Sequence, residues 1–238
     1  MSVDRAKQAV RERIWSLLAR ERVIPPEAPC NIPEFDGAEA AAALLAELPE
    51  WSAARVVTTV PDTAQFPVRR RALEAGKPIY MACPRLAAAK PFYLLDPERL
   101  PVPPAKAARK DTAALVARNV EVDEMRPVDL IVLGSVAVNR RGVRLGKGAG
   151  YSDIEIALLQ EVGLIDAHTT IATTVHGLQV VEEELPEAEH DCRLDLIVTP
   201  ESVIRCAEPY RPAGLDWDAL PPDKIAAIPA LAARYALR

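Results

Sequence analysis

The stretch RLGKGAGYSDIE, residues 144–155, sets Gly146, Gly148 and Gly150 beside Arg144 and Lys147, with Asp153 and Glu155 following. These types at this spacing suggest anion handling: glycines let backbone N–H groups turn inward, and the basic residues supply counter-charge. A P-loop needs GxxxxGK followed by Ser or Thr, but Gly142 stands one residue too close and Gly148 replaces the hydroxyl. A dinucleotide fingerprint needs GxGxxG straight after a strand; this loop offers GxGxG behind NRRGVR, although Asp166 does follow about 20 residues on. A looser anion nest at a helix N-terminus remains, and on spacing alone a solvated loop competes with it on equal terms.

Other chemistry is thinner. His168, His176 and His190 lack the HExxH spacing that aims two imidazoles at one metal. Cys30, Cys83, Cys192 and Cys206 form no CxxC pair and read as ordinary reduced or buried thiols. With 29 basic and 34 acidic residues, a net charge of −5 argues against a general nucleic-acid surface. The N-terminal MSVDRAKQAVRERIW carries charges where a signal peptide needs an apolar region, and no run of apolar residues is long enough to span a bilayer. The expectation is a soluble, cytoplasmic protein without a membrane partner; oligomeric state is not legible.

The elements that must position the loop alternate. Ala6, Ala9, Val10, Ile14, Leu17 and Leu18 give a helical stripe over residues 4–21, ended by the proline-rich VIPPEAPCNIPEF. Asp36 and Glu39 suggest a capping box opening the helix GAEAAAALLAEL. Strands are expected at ARVVTTV, KPIYMA and FYLL, with helices over about 64–75, stopping at Gly76, and about 105–118. DLIVLGSVAV, residues 129–138, is an apolar run suited to a strand buried on both faces, with the glycine loop leaving its carboxyl end. YSDIEIALLQEVGL reads as a helix ending at Gly163, TTIATTV and LDLIVT as strands, and Thr199-Pro200 as the opening of another helix. The pattern predicts one α/β domain over residues 1–238, with residues 207–238 as a wrapping tail. Ligands in such folds bind beyond the carboxyl ends of the strands.

The stretch Gly142-Val-Arg144-Leu-Gly146-Lys147-Gly148-Ala-Gly150-Tyr151-Ser-Asp153 resembles the G-x-R-L-G-[KR]-G-x-G-Y-Y-D loop of the 5-formyltetrahydrofolate cyclo-ligase family. Gln179, Leu185-Pro186, His190-Asp191, Asp195 and Ile197-Val-Thr-Pro200 resemble that family's second block at similar spacing. Several longer stretches, among them IPEFDGAEAAAALL and RPAGLDWDALPPDKIAAIPAL, are similar in order to its methenyltetrahydrofolate synthase domain-containing branch. The resemblance implies a three-layer α/β/α fold with a mainly parallel sheet, like the NagB/RpiA/CoA-transferase-like fold of the cyclo-ligases. It also implies ATP and Mg²⁺ as cofactors and a folate-type substrate: 5-formyltetrahydrofolate is converted to 5,10-methenyltetrahydrofolate with ADP and phosphate.

By that resemblance Gly146, Lys147, Gly148, Gly150 and Tyr151 hold the triphosphate, with Arg144 beside them; Arg144, Lys147 and Tyr151 are the catalytic candidates. Asp153 and Asp191 match magnesium-associated carboxylates, whereas the residues alone allow helix-dipole stabilisation for Asp153 and a turn anchor for Asp191. Lys7 and Arg11, spaced i, i+4, resemble a pair that reaches ATP from the first helix; a solvated basic face competes, because Arg5, Arg13, Arg20 and Arg22 crowd that helix. Asp62 aligns with a pterin-binding glutamate, yet with Gln65 it also forms a capping-box-like helix start. Ser152 replaces the usual second tyrosine, Ile154 an arginine common in the family, and Val138-Asn139 a Phe-Asp pair. Those departures motivate the alternatives: a non-catalytic folate or nucleotide binder of the same fold, or an enzyme for a different formylated substrate.

Overall fold

A computed structural model describes residues 2–25 and 31–238; Cys30 and the middle of the proline-rich stretch lie outside the described residues. In chain order it begins α1 (Val3–Arg20), α2 (Ala38–Ala46), α3 (Pro49–Ala53), β1 (Val57–Thr59), α4 (Phe66–Glu74), β2 (Ile79–Ala82) and β3 (Phe92–Leu95). There follow α5 (Pro104–Ala107), α6 (Lys110–Val116), β4 (Arg118–Val120), β5 (Leu130–Leu133), β6 (Ala137–Asn139), β7 (Arg144–Leu145) and α7 (Tyr151–Glu161). The remainder is β8 (Thr170–Thr174), β9 (Val180–Val181), β10 (Leu196–Val198), β11 (Val203–Arg205), α8 (Pro222–Ala227) and α9 (Pro229–Tyr235).

The main sheet runs β11-β10-β8-β5-β1-β2-β3-β4, and its five central strands from β10 to β2 pair in parallel. Side chains alternate across it, and both faces are buried, as a parallel sheet requires. Val57, Leu130, Val132 and Leu196 face a layer holding Ile14, Leu18, Leu45 and Leu73. Ile131, Leu133, Ile171 and Ile197 face the opposite layer, with Leu158, Leu159, Ile228 and Leu231. This is the α/β arrangement the alternating pattern predicted, with helices on both faces. Chain order reverses between β1 and β5, so their carboxyl ends form the topological switch point, where open α/β sheets place their ligands.

Several expectations fail for physical reasons. The apolar run 129–138 is two strands, not one: Gly134 ends β5, and β6 starts a separate sheet ordered β7-β6-β9. The break is held by side chains from elsewhere, since Gln179 Nε2 donates to the carbonyls of Ser135 and Val136 at 2.8 and 3.2 Å. The glycine loop therefore leaves β7, not β5. The helix expected near 105–118 is interrupted between α5 and α6, where buried Arg69 takes the Ala108 carbonyl at 2.8 Å. Thr199-Pro200 opens no helix; Thr199 Oγ1 accepts from the amides of Glu201 and Ser202, closing a turn into antiparallel β11. At the start of α2, Gly37 is the N-cap and Glu39 pairs with Arg70 and Arg71 at 2.5 and 2.6 Å, so the Asp36 capping box is not made.

Candidate active site

Every site residue singled out in the sequence lines one cleft of about 410 Å³ at the switch point. Asp62 follows β1, Gly134 follows β5, and both are in its wall. The buried stripe of α1 explains the contribution of the first helix. Lys7, Arg11, Ile14 and Leu18 repeat at helical spacing, so the stripe that is apolar over the core continues as cations over the cleft. Lys7 is ion-paired to Asp191, and Arg11 Nε donates to the Gly146 carbonyl at 2.7 Å. Burial lowers the Arg11 pKa, with Asp4 and Asp191 opposing. The solvated-face reading of this pair is thereby excluded.

The loop itself has the backbone an anion nest needs. Gly148 has φ +102 and Gly150 φ +72, left-handed values that side chains rarely adopt, and a Cβ at position 148 would lie 3.3 Å from Arg11 Nη1. Gly150 is the N-cap of α7 and supplies no side-chain cap, leaving the helix N-terminus open to a ligand. Among the described residues, the amides of Lys147, Gly148, Ala149 and Gly150 donate to no backbone acceptor. Lys147 reaches across the cleft to Asp62 Oδ1 at 3.1 Å with 42% of its side chain exposed. Asp62 begins the 3₁₀ turn Thr63–Gln65 without a side-chain cap, and Gln65 instead bonds Thr174, so the capping-box reading of that pair gives way to one in which Asp62 faces the loop.

Arg144 stands behind the loop rather than in it. Its Nη2 bonds both carboxylate oxygens of Asp153 at 3.1 and 3.2 Å, and Nη1 bonds the Gly134 carbonyl at 2.9 Å. Burial opposes its charge, but Asp153 outweighs that cost and raises its pKa. Nearby Cys192 is pushed up to about 12 by burial and the Asp153 charge, so it stays a thiol. Asp191 does anchor a turn, accepting the Ala188 amide at 2.7 Å, and it holds Lys7 at the same time. Asn139, a departure noted above, accepts the amides of Arg141 and Val143 and shapes the β6–β7 turn. Ile154 and Ser152 line the cleft, with Ile154 buried.

Among the described residues, no three His, Cys, Asp or Glu side chains gather into a metal cage. Asp153 and Asp191 nevertheless fit Mg²⁺, which takes one or two carboxylates and completes its shell with waters and phosphate oxygens.

Sequence reasoning missed three features. Gly134 was hidden inside an apolar run. Glu155 of α7 is buried with one carboxylate oxygen unpartnered among the described residues, and burial pushes its pKa to about 8 against the pull of Arg144. The tail supplies a whole wall through Leu215, Asp216, Leu220, Pro221 and Lys224; Pro222 at the start of α8 marked a helix there, but nothing marked its target.

The chain has the fold of the NMR structure of Aquifex aeolicus 5,10-methenyltetrahydrofolate synthetase, with a TM-score of 0.55 and 21% identity over 88% of this chain and 95% of that one. A sequence profile of the 5-formyltetrahydrofolate cyclo-ligase family matches residues 3–200, and the chain belongs to that family. It is 36% identical over 237 residues to the methenyltetrahydrofolate synthase domain-containing protein of Mus musculus and 34% identical over 240 residues to that of Homo sapiens. Those alignments take in 95% and 97% of this chain but 62% and 61% of the relatives, so it spans about three fifths of their length. No described helix is long and apolar enough to cross a membrane.

Proposed function

We propose that the chain binds ATP with Mg²⁺ at the glycine loop and cyclises 5-formyltetrahydrofolate, or a related formylated pterin, to the 5,10-methenyl product. The observation that carries this reading is the convergence of unbonded loop amides, Lys147 and the Asp153 and Asp191 carboxylates on one cleft at the switch point. In the reaction the formyl oxygen bonds the γ-phosphorus as the bond to the bridging β–γ oxygen breaks and ADP departs. N10 then attacks the formyl carbon, phosphate leaves with the formyl oxygen, and the N10 proton goes to solvent.

Such chemistry asks the protein for position and charge rather than a nucleophile. The loop amides, Arg11 and Lys147 bear on the phosphates. Arg144 fixes Asp153, and Asp62 orients Lys147 or the pterin. Asp153 and Asp191 would hold Mg²⁺, which neutralises phosphate charge when bound. Ile154, Ala157 and Leu215 form an apolar flank that limits water.

Purified protein given 5-formyltetrahydrofolate and Mg-ATP should develop the methenyl absorbance, and Lys147→Ala should lower kcat about 100-fold or more. No turnover by wild-type protein at any enzyme concentration rejects the reading. One observation favours a non-catalytic binder: at position 154 the cleft presents an aliphatic wall. Calorimetric binding of ATP or folate without turnover would select it.

A further inference from the structure

Three cations around the loop are matched to carboxylates: Lys7 to Asp191, Arg144 to Asp153, and Lys147 to Asp62. Two are not. Among the described residues, Arg11 and Lys224 bond only carbonyl oxygens: Arg11 those of Gly146 and the Gln8 side chain, Lys224 that of Ala149 at 2.7 Å. Lys224 Nζ also sits 5.2 Å from the centroid of the Tyr151 ring, the first residue of α7. An ammonium has three donors, and one carbonyl uses one of them. The remaining charge lies beside Gly150, where an added Cβ would stand 3.1 Å from Nζ.

We infer that Lys224 is a phosphate-binding residue of this site, brought by the tail to the polyphosphate held at the loop. The inference rests on the nucleotide reading above and extends it beyond residue 200, where the family match ends. The tail is built to present this side chain. Ile225, Ile228 and Leu231 are buried in the layer that packs on α7, and Glu161 of α7 accepts the Leu215 amide at 3.1 Å. Trp217 packs against Tyr235 with ring centroids 5.7 Å apart and planes tilted by 40°, and Arg234 pairs with Asp123 at 3.0 Å. Lys224 thus projects from a fixed helix, so little chain entropy is lost when it meets an anion. Its carbonyl partner is a peptide of the nest itself, which puts the charge with the phosphates and not with the pterin.

The test is calorimetry on wild type, Lys224→Gln and Lys224→Arg with three probes: ATP, inorganic tripolyphosphate and 5-formyltetrahydrofolate. Glutamine keeps a donor for Ala149 but removes the charge. Lys224→Gln should weaken ATP and tripolyphosphate about tenfold, leave the folate unchanged, and flatten the salt dependence of ATP affinity. Lys224→Arg should restore most of the loss. Unchanged salt dependence with unchanged phosphate affinity overturns the inference, as does a loss confined to the folate. Failure of wild type to bind either phosphate overturns the nucleotide reading as well, and that result is visible before any variant is made. Equal thermal midpoints for wild type and variants exclude misfolding as the source of a loss.

Discussion

Arg69 and Arg144 are both buried guanidiniums, 1% and 5% exposed, and they lock adjacent strand ends from opposite sides of the switch point. Arg69 bonds the carbonyls of Val60 at 2.6 Å, Asp62 at 2.9 Å and Ala108 at 2.8 Å and, among the described residues, no carboxylate. Arg144 bonds the Gly134 carbonyl and the Asp153 carboxylate. Electrostatics separates them. Burial lowers Arg69 to about 10, with the Asp62 charge opposing, whereas Asp153 overcomes burial at Arg144 and raises it. One arginine rivets backbone at the foot of the cleft; the other carries a charged partner into the cleft wall. Of this pair, Arg144 belongs to the site because its counter-ion faces the cavity, whereas Arg69 is not in the cleft lining and belongs to the scaffold.

That distinction can be broken by experiment. Arg69→Met should have the largest effect, stripping its bonds from three carbonyls, of which those of Asp62 and Val60 keep, among the described residues, only the Gln65 amide and Thr59 Oγ1, and costing roughly 3–5 kcal/mol in denaturant unfolding. The molecules that remain folded should bind ATP as wild type does; a parallel loss of affinity would erase the difference between the two arginines. Arg144→Lys keeps the charge but gives up the two-oxygen grip on Asp153. It should cost about 1–2 kcal/mol of stability while reducing turnover by roughly 10- to 100-fold, and an unchanged rate would place Arg144 with the scaffold.

The smallest effect is expected at Glu155, one turn into α7. Its pKa rises from 4.5 unfolded to about 8 folded, so the folded state binds the extra proton; the stability this group contributes is present below the lower value and is lost as pH rises through the upper one. Glu155→Gln should stabilise by about 1–2 kcal/mol. Thermal midpoints without nucleotide or divalent cation should diverge from wild type between pH 5 and 8 (about the titration window). Parallel curves would show that the carboxyl is solvated in the native protein.

What sequence could reveal follows the same divide. The loop's glycines and charges are local, so an anion nest was visible as a candidate, but spacing alone left it level with a solvated loop and the family resemblance favoured it. The Lys7 and Arg11 stripe was a local signal too, since i, i+4 spacing fixes a shared face. Arg69 was not, because PVRRRALEAG offers three arginines, and only the bend bringing Ala108 over α4 decides which is buried. Gln179 and Asp195 matched the second motif block as clearly as Asp191 did. Gln179 spends its side chain on the Ser135 and Val136 carbonyls, and Asp195 accepts the Ile171 amide at 2.6 Å; both hold strands rather than line the cleft. The break at Gly134 and the turn at Thr199 were misread because side chains distant in sequence override an apolar or Pro-opened local pattern.

The loop is gripped from two directions: Arg11 holds Gly146 from upstream, and Lys224 holds Ala149 from downstream. During synthesis the first grip is available as soon as the loop emerges, but the second waits until Lys224 of α8 has been translated as well. A nascent chain therefore carries the sheet and the nest before it carries the full charge complement. A protease cut between β11 and α8 followed by loss of the tail would return the protein to that earlier, half-gripped state, whereas a cut alone leaves the tail docked through Ile225, Ile228 and Leu231.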